Sequence, residues 1–184
     1  KNLTMKTYLL LLATIVLCSL QCRKTPRPPV TDIPGLPPAT QTGANTLGFL
    51  LNGQPWTPEG NNGTANLSID FDPGINNGIF SIAAYRIVTN GATEYFGIGL
   101  RDSLNLIKIP ATLPIGNGTN CGVFYSKGNC MFDYFSIDIF RDGNLKILKL
   151  DRNSRIISGQ FSVTIFKNGC DSIKITNGRF DMKF

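Results

Sequence analysis

Histidine does not occur anywhere in the 184 residues. Its absence rules out Ser-His-Asp and Cys-His nucleophilic arrangements. It also removes a principal zinc ligand, and no C-x-x-C pair takes its place, so no metal site is expected. Tryptophan occurs once, at Trp56. Charged residues make up only 16% of the chain, and no basic run follows a single element. That is not a nucleic-acid footprint. No apolar run reaches the roughly 20 residues that span a bilayer as a helix. No helical period of about 10–15 residues separates the apolar segments, which disfavours a parallel α/β fold.

The most informative stretch that is present is residues 5–22, MKTYLLLLATIVLCSLQC. Lys6 supplies a positive start, and residues 8–20 form an apolar run broken only by Thr14, Cys18 and Ser19. A run of about 13 residues has the length of a signal-peptide apolar region. The segment resembles a bacterial lipoprotein signal, in which a short Lys-led apolar stretch ends in a Cys that is lipidated and becomes the first mature residue. Cys22 sits where hydrophobicity stops and is the candidate anchor; Cys18 has apolar residues on both sides. Residues 1–21 are therefore expected to be a signal peptide. Within it, residues 1–4 read as upstream sequence before Met5. Several acyl chains on one residue anchor stably where one chain binds marginally.

Residues 22–45 read as a tether. Six prolines (26, 28, 29, 34, 37 and 38) fall between Arg23 and Asn45, with few large apolar residues. Such a segment is expected to be extended and solvated. Arg23, Lys24 and Arg27 would favour an anionic headgroup layer. Surface-exported lipoproteins of related bacteria often carry acidic residues after the lipidated Cys. The basic residues here point to an outer-membrane lipoprotein facing the periplasm.

Residues 46–184 are then expected to be one domain, large enough to bury most of its apolar surface. Thirteen basic and eleven acidic side chains leave it at +2. Its cysteines are Cys121, Cys130 and Cys170. An oxidising compartment allows one pair with one left over. Cys121 and Cys130 flank the turn at 126–129 and are the candidate disulfide, provided the loop there is loose; buried free thiols are the alternative.

The domain is read as all-β. Short runs at 46–51, 54–57, 65–71, 79–88, 94–101, 104–109, 132–141, 145–151, 155–167 and 173–184 are punctuated by Gly, Asn and Asp. Asn52-Gly53 signals a tight hairpin. Asp142-Gly143-Asn144 and Asn168-Gly169 read as turns, and Ser158-Gly159 as a bulge. About nine to ten strands at this spacing describe an antiparallel β-sandwich or a closed meander or barrel.

Two segments carry a family resemblance. LPPATQTGANTLGFLLNGQPWTP (36–58) opens the domain, and KLDRNSRIISGQFSVTIFKNGCDSIKITNGRFDMKF (149–184) closes it. LPPATQTG, the NG-x-x-W turn, ISG-x-F and the closing I-T-x-G-R-F-D strand together resemble an uncharacterised lipoprotein domain family of Bacteroidota-type bacteria. The resemblance implies the anchor but no activity. Relatives often have Cys where Phe49 stands, so here it leaves Cys170 without an inherited partner.

No site residue for catalysis emerges. Asp70 and Asp72 run into Pro73-Gly74 and read as turn formers; with Asn76-Asn77 they could offer some oxygens to calcium, short of a full set. Asp138 and Asp142 pair by spacing only. Trp56 reads as a hydrophobic plug or as a ligand platform for a glycan. Arg179, Asp181 and Lys183 share one strand face and read as solvated or as a recognition surface. The expectation is a non-enzymatic, lipid-anchored envelope domain without cofactor. Its partners are the membrane, through the lipid, and an envelope protein or glycan. The alternatives are a carbohydrate- or calcium-dependent binding module and a structural envelope protein.

Overall fold

A computed structural model describes residues 33–88 and 92–184. Among these residues there are eleven strands and no α-helix. β1 (Thr46–Leu51) turns through Asn52-Gly53 into β2 (Gln54–Trp56). Both turn residues have positive φ, 48° and 85°, as a two-residue hairpin of this hand requires. β3 (Leu67–Asp72), β4 (Ile79–Ile87) and β5 (Thr93–Leu100) follow as an antiparallel meander. The sequence pattern predicts a strand at 104–109. Leu104–Leu106 instead forms a 3₁₀ turn, with Leu104 buried. β6 (Ala111–Gly116), β7 (Cys121–Lys127) and β8 (Cys130–Phe132) come next, then β9 (Phe140–Asp151), β10 (Ile156–Phe166) and β11 (Ile173–Lys183).

The strands form one sheet in the order β2-β1-β11-β10-β9-β6-β7-β5-β4-β3, with β8 paired to β7 at the side. Pairing is antiparallel except between β6 and β7, which meet in parallel through Ile115 and Cys121. The all-β expectation holds, with eleven strands in place of nine or ten. The sheet curls until its ends approach. Phe71 on β3 stacks on Phe184 at 3.9 Å, and Glu59, just past β2, bridges to Arg86 on β4. No ladder joins β2 to β3, so the closed-barrel alternative is not adopted. A hollow of about 330 Å³ bordered by Pro37, Leu47 and Leu67 marks that seam.

The core fills the inside of the curl. Phe49 stacks on Trp56 at 4.7 Å and meets Phe96 at 4.5 Å, and Phe161 stacks on Phe96 at 5.5 Å. Ile82, Ile98, Val123, Leu145, Ile147, Ile157 and Ile165 are fully buried around them. Burying one such side chain is worth about 1.5–3 kcal/mol.

Two local expectations are corrected. Asp142-Gly143-Asn144 is not a turn: β9 runs straight through it, pairing Gly143 with Val163 on one side and Ile115 on the other. A Cβ at Gly143 would collide with the Ser162 carbonyl oxygen, so glycine serves close backbone approach here. The Ser158-Gly159 bulge is present as a register shift against β9. The second correction concerns residues 33–45, assigned to a solvated tether. They lie as a strap over the outer face of β11 and β1. Asp181 receives the Thr40 hydroxyl at 2.6 Å, the Thr42 amide at 2.8 Å and the Gly43 amide at 2.8 Å. Arg179 donates to the Pro37 carbonyl at 3.3 Å, and Lys149 to the Gln41 carbonyl at 3.2 Å. Asp181 and Arg179 are therefore buried, not on a solvated face. Polar side chains survive there because the strap supplies their hydrogen-bond partners.

Candidate functional site

An apolar groove of about 250 Å³ opens on the outer face of the β4–β5–β7 wall. The alternation that sends Phe96, Ile98 and Leu100 inward sends Tyr95, Gly97 and Gly99 outward. With Gly122 on β7, the outer wall lacks side chains over several positions. The segment between β8 and β9 lies down on this bare surface. Tyr134 rests on Gly97, where a Cβ would run into its hydroxyl. Phe135 rests on Gly122, where a Cβ would come within 2.8 Å of the ring. Glycine's missing side chain is what admits the two rings. Tyr134 stacks against Phe124 at 5.6 Å and against Phe135 at 6.0 Å. The groove lies between these rings and Ile79, Phe80 and Ser81 of β4, over Gly99.

Arg141, the second residue of β9, fixes that segment. Its Nη1 donates to the Ser136 carbonyl at 2.9 Å and the Ile139 carbonyl at 3.1 Å, and its Nη2 donates to the Asp133 carbonyl. Burial pulls the Arg141 pKa below its ordinary value, while the Asp133 charge acts the other way. At the groove mouth the Arg101 guanidinium sits 4.2 Å from the centre of the Phe135 ring. Asn76 holds the adjacent backbone by donating to the Arg101 carbonyl at 3.2 Å.

A second polar cluster lies inside the curl. Glu94 is 1% exposed and is placed by register between two cross-strand cations, Arg86 on β4 and Lys127 on β7. Its Oε2 accepts from Arg86 at 2.7 Å and from the Trp56 indole N–H at 2.8 Å, and its Oε1 accepts from Lys127 at 2.9 Å. Burial alone would raise its pKa. The bonds from Lys127, Arg86 and Trp56, with the Arg86 charge, outweigh burial and hold the carboxyl below its ordinary 4.5. Arg86 also stacks over Trp56 at 5.5 Å. Every carboxylate oxygen is occupied, so the cluster fastens β2 to the β4–β5–β7 wall and offers no free acid or base.

The residues singled out from sequence fall as follows. Cys22 lies outside the described residues. Trp56 is 0% exposed, so it is a core plug and not a ligand platform: the pairing of β2 with β1 turns its ring onto Phe49. Cys121 and Cys130 are not bonded. The β7–β8 hairpin is tight, with Lys127 opposite Cys130. Cys121 is therefore six residues back along the strand, roughly 20 Å away. Cys130 is instead bonded to Cys170, with Cα atoms 5.8 Å apart, and Cys121 is a buried thiol. Burial pushes the Cys121 pKa up to about 12. Asp72 is spent on its own turn, accepting from the Gly74 amide at 2.7 Å. Among the described residues no group of three or more carboxylate or thiol side chains gathers as a metal site.

Sequence reading missed the groove and Glu94. Both had a signal. Glycines at alternating positions of β5 mark something lying close over one face, and the same alternation puts Glu94 on the core face with Phe96. Compared with known protein families, curated proteins and solved structures, the chain matches none.

Proposed function

We propose that this chain is an exported, lipid-anchored envelope domain that binds a small ligand or a partner and carries out no catalysis. Cys22 is its anchor, and the outer membrane, on the periplasmic side, is its location. The resemblance of residues 36–58 and 149–184 to Bacteroidota-type lipoprotein domains supports the anchor. The strap adds to it: LPPATQTG and the closing R-F-D strand are joined through Thr40, Thr42 and Asp181, so the two resembling segments act as one unit. The observation that carries the binding reading is the groove, a mostly apolar cleft with a few polar side chains (Asn76, Ser81, Arg101 and Tyr134) on its border, which is the usual form of a small-molecule site.

The carbohydrate-module alternative loses its platform, since Trp56 is buried. The structural-protein alternative has one observation in its favour: Met131, Ile137, Phe140 and Phe166 are exposed at one end of the sheet. The intact mass of the protein extracted from its native membrane tests the anchor. An acylated chain beginning at Cys22 is expected. An unlipidated mass with another start overturns it.

A further inference from the structure

Resting on the reading of the groove as a binding site, we infer that its ligand is a small amphiphile: an apolar body bearing a single carboxylate. The body follows from the walls. Ile79, Tyr134 and Phe135, with the Phe80 backbone, border an open apolar cleft over Gly99, and a planar ring or a medium acyl chain fits such a slot. At about 250 Å³ the space falls just short of the roughly 300–1,000 Å³ of drug-sized sites, so it takes a smaller molecule.

The head group follows from Arg101. Its guanidinium carbon lies 4.2 Å from the centre of the Phe135 ring, which holds the charged group and its N–H donors at the groove mouth. Among the described residues no carboxylate lies within ion-pair distance of it. The neighbouring acid, Asp102, accepts instead from the Ser103 hydroxyl at 2.8 Å. A planar fork of donors at the mouth of an apolar slot is complementary to a carboxylate, which it can grip through two parallel bonds. The mouth is held in place, because Asn76 bonds the Arg101 carbonyl and Arg141 holds the segment that carries Phe135. A ligand that places its chain on Gly99 and its head at Arg101 satisfies both ends at once. A cationic head would meet repulsion, and a neutral one would forgo the charge-assisted bonds.

Sodium octanoate, octanol and octyltrimethylammonium are the probes, titrated into the folded chain and followed by the NMR shifts of the Arg101 side chain and the Phe135 ring. Octanoate is expected to bind saturably and about tenfold more tightly than octanol, with the cation weakest. Arg101→Gln, an exposed change that leaves the fold intact, is expected to bring octanoate down to the octanol level and leave octanol unchanged. Ile79→Trp, which fills the slot, is expected to abolish both. Equal binding of octanoate and octanol in the unaltered chain overturns the carboxylate assignment and leaves the groove a binding site. Failure of all three probes, or binding that survives Ile79→Trp, overturns the groove reading as well.

Discussion

The Thr42 amide donates to Asp181 Oδ2 at 2.8 Å, joining residues 139 positions apart. With Thr40 and Gly43 on the same carboxylate, one side chain of the last strand holds the segment that precedes the first. Asp181→Ala removes the acceptor for the Thr40 and Thr42 hydroxyls and the Thr42 and Gly43 amides at once. A loss of about 3 kcal/mol is expected, from the usual range for hydrogen bonds to a charged group. Limited proteolysis should then cut within 33–45 before the domain unfolds. A strap that stays protected would show that other contacts hold it.

The same carboxylate sets an acid limb. Burial would raise the Asp181 pKa, but the bonds from Thr40, Thr42, Gly43 and Ala44 hold it below its ordinary 3.8. A depressed folded value means the stabilisation is complete above 3.8 and is lost as pH falls through the folded pKa. Glu94 has the same sign below 4.5. Denaturation midpoints should therefore fall steeply below about pH 4.5, and Asp181→Asn should flatten the lower part of that limb. An unchanged slope in the variant would count against the clamp.

Glu94→Gln leaves Arg86 and Lys127 facing a neutral amide inside the sheet. Breaking a buried pair on one side commonly costs about 3–5 kcal/mol, and the lower end is expected because Lys127 is mostly solvated. Lys127→Ala alone should cost under about 1 kcal/mol, as at other exposed pairs. Trp56 is the sole tryptophan and touches Glu94, so its fluorescence reports both unfolding curves.

Cys130 and Cys170 are 40 positions apart, and their bond ties the β7–β8 arm to the β10–β11 turn. Chain-entropy reasoning gives about 4 kcal/mol for a loop of this length. Cys130→Ser should lower the denaturation midpoint accordingly. In the unaltered protein, iodoacetamide should modify the peptide containing Cys121 only after denaturation, because that thiol is buried and its pKa is raised. Modification under native conditions would refute the assignment.

Gly143→Ala is expected to destabilise by at least about 2 kcal/mol, since the new methyl meets backbone that cannot swing aside. Were residues 142–144 a surface turn, the same change would cost little. Thermal melts of the variant separate the two.

The strands from β1 to β5, with β10 and β11, were legible because alternation and Asn-Gly turns are local properties of a sequence; β6 and β7 were not read as strands. What was not legible depends on residues far apart meeting. Gly143 looks like a turn residue until Val163 and Ile115 are seen on either side of it. Asp181 looks solvated because its partners lie in a proline-rich stretch with no apolar pattern. The cysteine pairing failed for a related reason: nearness in sequence says nothing about two residues separated along one extended strand. Groove residues such as Tyr134 and Phe135 sit in what alternation read as a strand at 132–141. Their outward partners are glycines, which carry no hydropathy signal.

The strap also changes a length. If Cys22 carries the lipid, the domain begins roughly eleven residue steps beyond it, not at Thr46. At no more than about 3.6 Å per residue, those steps reach roughly 40 Å. That upper bound is roughly half of what the 24 steps from Cys22 to Thr46 would span.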